Sequence, residues 1–174
     1  MVFQTDRLLL RELRQTDLND LAEILQDQEV VYAYEHDFSD KDVQQWLDRQ
    51  LARYQTNGFG LWAVMLKGTG EMIGQAGLTL QPCEGEIVME IGYLLKRMHW
   101  HHGYATEAAD GCKQYAFSKL DAPKVHAIIK ADNLPSIRVA RRIGMKKEKA
   151  FTARYYNGEM LHYLFSISKN AVAK

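Results

Sequence analysis

The segment from Trp100 to Ala108 combines residue types that suit anion binding. It follows an apolar run, Ile87 to Leu95, that predicts a buried strand, and apolar side chains recur at helical spacing from Tyr104 onwards. Backbone N–H groups at the start of a helix lack partners and carry partial positive charge, so an anion such as a pyrophosphate can bind there. Gly103 lets this backbone approach a ligand closely. The alternative is that Gly103 only turns the chain before an ordinary helix.

Glu90 is an isolated carboxylate within the apolar strand. Burying a carboxylate is unfavourable unless the group is paired or used in chemistry. Glu90 is therefore a candidate general base, acting directly or through a water molecule. The alternative is a structural salt bridge or a side chain at the edge of the sheet.

A cluster of three histidines, His99, His101 and His102, raises the question of a metal site. Adjacent histidines in a short turn do not readily converge on one ion, and no cysteine or carboxylate stands at a recognised ligand spacing. We therefore predict no metal cofactor.

The composition indicates an ordinary globular chain. At 174 residues it fits a single domain over 1–174, and its 22 basic residues balance its 22 acidic residues, which argues against nucleic-acid binding. No segment has the apolar length of a membrane span, and residues 1–7 do not resemble a secretory signal, so we expect a cytoplasmic protein. Cys83, in a loop that contains proline, and Cys112, on an apolar helix face, are expected to be reduced thiols.

The elements that must position these residues follow from hydrophobic periodicity and turn signals. Helices are predicted from 17 to 25, from 39 to 57 and from 104 to 117, with a shorter one over 137–143 that Asn133 to Ser136 open. Strands are predicted at 7–13, 61–66, 72–80, 86–95, 124–130, 145–153 and 159–167. The last two form a hairpin through Tyr155 to Gly158, and the strand, helix, strand order around 86–130 is typical of a parallel pair.

In this order of elements, four motifs resemble the GNAT superfamily of acetyl-CoA-dependent N-acetyltransferases. They are the segments 5–11 (TDRLLLR), 90–95 (EIGYLL), 100–108 (WHHGYATEA) and 133–145 (NLPSIRVARRIGM). More narrowly, they resemble the branch of ribosomal-protein N-terminal (alanine and serine) acetyltransferases. The resemblance implies an α/β (α+β) fold, with a mixed, mostly antiparallel central sheet flanked by helices and a splayed parallel pair at the CoA site.

The resemblance also implies roles for individual residues. Ser136 would be the partner of the departing thiolate, with a plain helix-start serine as the alternative, and Asn133 would bind the pantetheine arm. Apart from the resemblance, Arg138, Arg141 and Arg142 occupy neighbouring helical positions and are candidates to attract CoA phosphates, although at least one of the three is expected on a solvated face. Main-chain groups of the strand and of the turn would hold the rest of acetyl-CoA, at Leu94, Leu95, His101, His102, Gly103, Tyr104, Ala105 and Thr106.

Two departures from the family pattern are visible. Trp100, His101 and His102 make the turn bulkier and less cationic than is usual, and the tyrosine that many members use as a general acid falls on Ala140. That role would have to pass to another residue.

The expected activity is transfer of the acetyl group of acetyl-CoA to a primary amine by direct attack in a ternary complex, with a protein N-terminal α-amine as acceptor. The alternatives are a small amine, such as a polyamine or an aminoglycoside-like compound, and a non-catalytic CoA-binding regulatory module. A homodimer is possible by resemblance. The loop before the second helix is a candidate wall of the acceptor pocket, through Tyr32, Tyr34, Glu35 and His36. The alternative is that its aromatic side chains only pack under the second helix.

Overall fold

The computed structural model describes residues 1–155 and 158–172. Across these two ranges the strands are β1 (Phe3–Gln4), β2 (Leu8–Arg11), β3 (Leu61–Leu66), β4 (Met72–Cys83), β5 (Glu86–Leu95), β6 (Lys124–Lys130), β7 (Lys146–Tyr155) and β8 (Gly158–Ser168). They form one sheet in the order β1-β2-β3-β4-β5-β6-β8-β7. The pairing of β5 with β6 is parallel, and the other pairings are antiparallel. The predicted mixed, mostly antiparallel sheet is confirmed.

The helices of the described residues are α1 (Leu18–Leu25), α2 (Gln28–Val31), α3 (Asp40–Asn57), α4 (Tyr104–Ser118), α5 (Leu134–Arg142) and α6 (Lys169–Val172). Ser39 caps α3 in a capping box with Asp42, as its sequence pattern predicts, and Gly58 ends that helix at a φ of 77°. None of these helices combines the length and the apolar character that crossing a bilayer requires.

Helices α3 and α4 cover opposite faces of the sheet. Trp46 of α3 donates its indole N–H to Oε1 of Gln75 in β4 at 2.9 Å. Trp62 of β3 lies against Tyr115 of α4, with ring centroids 5.2 Å apart, and pairs across the sheet with Ala76. Because neighbouring residues of a strand point to opposite faces, Gln75 marks the α3 face and Ala76 marks the α4 face.

Strands β5 and β6 diverge soon after they meet. Their parallel register has one pair, Glu90 with His126, whereas β5 pairs with β4 along its whole length from Glu86 to Leu95. The C-terminal half of β5 therefore has a strand on one side only. This opening is the splayed parallel pair that the family resemblance implied.

Several predicted boundaries were wrong. Strand β4 runs on to Cys83, so this cysteine ends a strand and does not lie in a loop; Glu84 and Gly85, both with positive φ, complete the tight turn to β5. The connector between α1 and α3 contains α2, which Asp27 caps, and a 3-10 turn. The short elements β1 and α6 had no sequence signal. Within the predicted final turn, Tyr156 and Asn157 lie outside the described residues.

A buried lysine joins α4 to α5. Lys113 is 6% exposed, and its ammonium donates to the carbonyl of Ile143 at 2.9 Å and to Oδ1 of Asp110 at 2.5 Å. Ile143 follows α5, where helix carbonyls lack intrahelical donors. Lys113 thus supplies a hydrogen-bond donor to a carbonyl at the C-terminal end of α5, the helix that carries Ser136.

We expect Lys113→Met to lower the free energy of unfolding by about 1–3 kcal/mol, because the Ile143 carbonyl would stay buried without a donor. Urea denaturation measures the loss. The matched control is Lys119→Met, which removes an exposed lysine just after the same helix and should cost less. Equal effects of the two substitutions would contradict the assignment.

Candidate active site

A cleft of about 940 Å³ opens where β5 leaves β6. Its walls come from the end of α3, the C-terminal half of β5, the start of α4 and the start of α5. The structure brings into this cleft most of the site residues that the sequence indicated, namely Tyr32, Tyr34, Glu90, Leu94, Leu95, His101, Gly103, Tyr104, Ala105, Thr106, Asn133, Ser136 and Arg138.

The N-terminus of α4 at one end of the cleft is left without a side-chain cap. Gly103 is its N-cap residue, with a φ of 81°, and no side chain accepts a hydrogen bond from the first turn. Side chains of Asp27, Ser39 and Asn133, by contrast, cap α2, α3 and α5. Uncapped N–H groups that face a cleft fit the pyrophosphate of CoA, since an anion there supplies the missing acceptors.

Glu107 holds this turn to the first hairpin. Its carboxylate accepts hydrogen bonds from the Thr5 hydroxyl (2.6 Å), the Arg7 backbone N–H (2.8 Å) and Arg7 Nε (2.6 Å). Burial raises the pKa of Glu107, but these hydrogen bonds outweigh it and leave the pKa below its usual value. Arg7 also donates to the His102 carbonyl (3.0 Å) and lies over the Tyr104 ring. Thr5 and Arg7, known from the sequence only as part of a motif, therefore fix the turn from outside.

The alternation of β5 decides which main-chain groups face the opening. The Lys96 N–H donates to the Ile73 carbonyl of β4 at 2.9 Å, so in an antiparallel ladder the main-chain groups of Leu94 also point to β4. Those of Tyr93 and Leu95 point away from β4. Pairing with a pantetheine arm, which the resemblance placed at Leu94 and Leu95, would thus involve Tyr93 and Leu95.

Trp100 occupies part of this edge. Its indole N–H donates to the Leu95 carbonyl at 2.9 Å, so the bulky residue that departs from the family pattern fastens the turn to the end of the strand. The Leu95 N–H remains for a ligand.

Glu90 lies on the α3 face of β5, since it pairs with Thr79 and shares that face with Gln75. Its carboxylate accepts hydrogen bonds from the Thr79 hydroxyl (3.2 Å) and from the Ile128 backbone N–H (3.4 Å). Burial raises the pKa of Glu90 to about 7, against the opposing effects of Ile128, Thr79 and the Arg53 guanidinium. The structure contains no direct salt bridge to Glu90 among the described residues, and it places the carboxylate in the cleft.

Ser136 and Tyr93 meet on the other side of the opening. The Ser136 N–H is bound by Oδ1 of Asn133 at 3.1 Å, which leaves the serine hydroxyl for other partners. That hydroxyl interacts with the phenol of Tyr93. Burial raises the pKa of Tyr93 to about 12, although the interaction with Ser136 acts to lower this pKa. Tyr93 was missed by the sequence reasoning, because an apolar strand with a tyrosine gives no sign of which helix faces that ring. Ala140, the position of the usual family tyrosine, is buried.

Four of the candidate site residues from the sequence do not line the cleft, namely His102, Glu35, His36 and Arg141. The ring of His102 stacks on Tyr104 with centroids 5.6 Å apart, Glu35 binds Nζ of Lys130 at 2.6 Å, and Nε2 of His36 lies 3.6 Å from Asp42. His99 contacts Glu71 at 3.1 Å. In the part of the chain that the structure describes, no group of three histidine, cysteine or acidic side chains is placed to hold a metal ion.

Comparisons with known proteins agree with this site. The family model described as "Acetyltransferase (GNAT) domain" matches residues 7–146. The chain is 38% identical over 160 residues to the uncharacterized protein YkkB of Bacillus subtilis (strain 168), covering 91% of this chain and 92% of YkkB. It is 31% identical over 178 residues to the uncharacterized N-acetyltransferase p20 of Bacillus licheniformis, covering 97% of both.

Solved structures share the architecture. The acetyltransferase (GNAT family) from Bacillus anthracis has a TM-score of 0.82 and 25% identity, covering 96% of this chain and 98% of that chain. A ribosomal-protein-S5-alanine acetyltransferase from Vibrio fischeri has a TM-score of 0.78 at 18% identity, covering 97% and 96%. A spermidine N-acetyltransferase from Vibrio cholerae, in complex with CoA and spermine, has a TM-score of 0.79 at 15% identity, covering 98% and 100%. The last two show the fold alone.

The family match covers most of the chain, the relatives span nearly its full length, and the cleft has the uncapped helix start that a CoA pyrophosphate needs. The chain therefore belongs to the GNAT family of acetyltransferases.

Proposed function

We propose that this chain transfers the acetyl group of acetyl-CoA to the α-amine of a protein N-terminus, by direct attack within a ternary complex. The observation that carries the proposal is the cleft itself, into which the divergence of β5 from β6 brings an uncapped helix start, Ser136 and Glu90. Acetyl-CoA supplies the acetyl group as a thioester. The residues of this chain hold that molecule, position the amine and move two protons.

Backbone groups would make most of the contacts with acetyl-CoA. The N–H groups of Tyr104, Ala105 and Thr106 would take the pyrophosphate, and the edge of β5 at Tyr93 and Leu95 would pair with the pantetheine arm. Asn133, whose Oδ1 is used to cap α5, keeps its amide N–H groups for the same arm. Arg138 and Arg142 line the cleft, whereas Arg141 does not, so the first two would face the phosphates.

Glu90 would accept the proton of the attacking ammonium, directly or through water. A general base is most effective when its pKa lies near the working pH, and burial brings Glu90 to about 7. This value is closer to the pKa of an α-amine, about 8, than to that of an alkyl amine such as the lysine side chain, about 10.4. The match favours an N-terminal α-amine over a polyamine.

Ser136 would donate a proton or a hydrogen bond to the departing thiolate, with Tyr93 behind it. Ser136 of α5 and Tyr93 of β5 would thus take the general-acid role that a tyrosine at the position of Ala140 has in many family members. Cys83 and Cys112 are both buried, and neither lines the cleft, so the chain offers no thiol for an acyl-enzyme.

For phosphate binding we expect Arg138→Met to weaken the affinity for CoA about 3- to 10-fold, because a charge-assisted contact is lost. Isothermal titration with CoA and with 3′-dephospho-CoA measures the change. The matched control is Arg141→Met on the same helix, outside the cleft, which should leave the affinity unchanged. An equal loss of CoA affinity in both variants would indicate a general effect of positive charge and would contradict a direct contact between Arg138 and a phosphate.

For the base we expect kcat/KM to fall about tenfold per pH unit below pH 7, because Glu90 takes up a proton there. The ionisation of the acceptor amine adds a second pH dependence of kcat/KM near pH 8. In the pH profile of kcat/KM, Glu90→Gln should lose the change near pH 7 and keep the change near pH 8. The substitution should also lower kcat/KM by about 10²- to 10⁴-fold. Glu86→Gln, at an exposed position of the same strand, is the control. A limb at pH 7 that survives in Glu90→Gln would assign it to another group.

For the thiolate partner we expect Ser136→Ala to lower kcat about 10- to 100-fold while CoA affinity stays within about twofold. Tyr93→Phe should act in the same direction, and the double variant should be little worse than the more severe single one, since the two groups act together. Steady-state thiol release and calorimetry separate turnover from binding. Full turnover in Ser136→Ala would remove this residue from the chemistry, and a wild-type chain that binds CoA but turns over no amine would be a regulatory binding module.

A further inference from the structure

Two arginines of α3 line the cleft without a direct ion pair among the described residues. Arg49 and Arg53 stand one helical turn apart, and both line the cleft. Nη1 of Arg53 donates to Oε1 of the buried Gln50 at 3.3 Å, and the guanidinium of Arg49 lies 5.4 Å from the centre of the Trp46 ring. Among the described residues neither arginine has a carboxylate within 4.0 Å.

Arg49 is exposed and Arg53 is half-buried, and the other half-buried or buried cations of the described residues do have such partners. Nζ of Lys96 lies 2.7 Å from Asp20 and 2.6 Å from Glu23, and Arg11 binds Asp17 through both terminal nitrogens. Burial lowers the pKa of Arg53, and the neighbouring Arg49 lowers it further. A partly buried positive charge without a direct ion pair is unfavourable, and an anion bound beside it lowers that cost.

The position of Arg53 indicates that the anion would belong to the acceptor and not to CoA. Arg53 interacts electrostatically with Glu90 and Tyr34, so it lies in the part of the cleft where the acceptor amine would meet its base. The pyrophosphate turn follows Leu95, five residues along the strand from Glu90, a separation of about 17 Å. The phosphates of CoA would therefore bind at the other end of the cleft.

The charges of this region disfavour a polycationic acceptor. The carboxylates that line the cleft within the described ranges are Glu29 and Glu90, and they face the unneutralised pair on α3. A polyamine would need carboxylates for its additional ammonium groups, and it would meet guanidinium groups in their place.

We propose that Arg53, assisted by Arg49, binds an anionic group of the acceptor, so that the substrate is an amine carrying a carboxylate or phosphate close to the reacting nitrogen. This inference rests on the proposed acetyl transfer and narrows its acceptor. For a protein N-terminus the anion is an acidic side chain next to the α-amine. The α-carboxylate of a free amino acid has the same chemistry, and its use would make the acceptor a small molecule. In either case the acceptor places its ammonium at Glu90 and its anion at Arg53.

The test compares acceptors in pairs that differ in one charge. The full chain, saturated with acetyl-CoA, is given serine against serinamide, Ser-Asp-Phe-amide against Ser-Asn-Phe-amide, and spermidine, with thiol release as the readout. We expect the anionic member of one pair to exceed its neutral partner at least tenfold in kcat/KM, and which pair shows this difference identifies the source of the anion. Arg53→Met should abolish the preference, mainly through KM.

Two controls separate this role from others. Lys41→Met removes one exposed positive charge from the same helix outside the cleft and should keep the preference. If Arg53 served only to keep Glu90 ionised, Arg53→Met would shift the pH profile equally for charged and neutral acceptors. Equal turnover of both members of each pair, or a preference that persists in Arg53→Met, would overturn the proposal while acetyl transfer stands.

A binding measurement keeps the proposal testable if no acceptor is acetylated, an outcome that would count against the proposed function itself. Calorimetric titrations of the CoA complex with serine and with Ser-Asp-Phe-amide should show at least tenfold weaker binding of one of these two anionic acceptors in Arg53→Met than in the wild-type chain. Equal binding in the two proteins would overturn the assignment of Arg53 as the anion site.

Discussion

The separation of β5 from β6 is the constraint on which the site depends. Two parallel strands normally continue side by side through slanted hydrogen bonds, but here the register has only the pair Glu90 with His126. Just beyond it, the Ile128 N–H turns to the Glu90 carboxylate. The side chain thus replaces a ladder partner at the point where the ladder ends. An open strand edge and a buried carboxyl arise together from one break in pairing.

The two ends of the opening are held by different means. At the turn, Glu107 accepts hydrogen bonds from the Thr5 hydroxyl and from Arg7, and Trp100 donates to the Leu95 carbonyl. These contacts hold the helix start in place, although its N-cap residue, Gly103, has no side chain to cap it. On the facing side, Lys113 binds the carbonyl that follows α5 and steadies the helix that carries Ser136. Ligand contacts are left to main-chain groups, and the side chains around them do the positioning.

The distribution of buried charge separates structural ions from the groups of the cleft. Lys96, Lys113 and Asp17 are each satisfied by opposite charges or carbonyls. Glu90 and Arg53 share a compartment without a direct ion pair, and burial moves the pKa of each towards its neutral form. Groups withdrawn from water and left incompletely paired raise the free energy of the empty site, and they gain most when a complementary ligand enters.

The sequence by itself determined the longer elements and their order, but not the short elements β1, α2 and α6. Helix caps, turn residues and hydrophobic periodicity are local signals; the capping box at Ser39 and the strand from Glu86 to Leu95 are examples. It also indicated Glu90, as an isolated carboxylate on an apolar strand, and the Gly103 turn before a helix, and both line the cleft. Only the tertiary structure decided that Tyr93 stands behind Ser136, that Trp100 closes on Leu95, and that Arg53 faces Glu90. These pairings join elements far apart in the chain or set the direction of a side chain, and both depend on how α3, β5 and α5 pack, which no local pattern encodes.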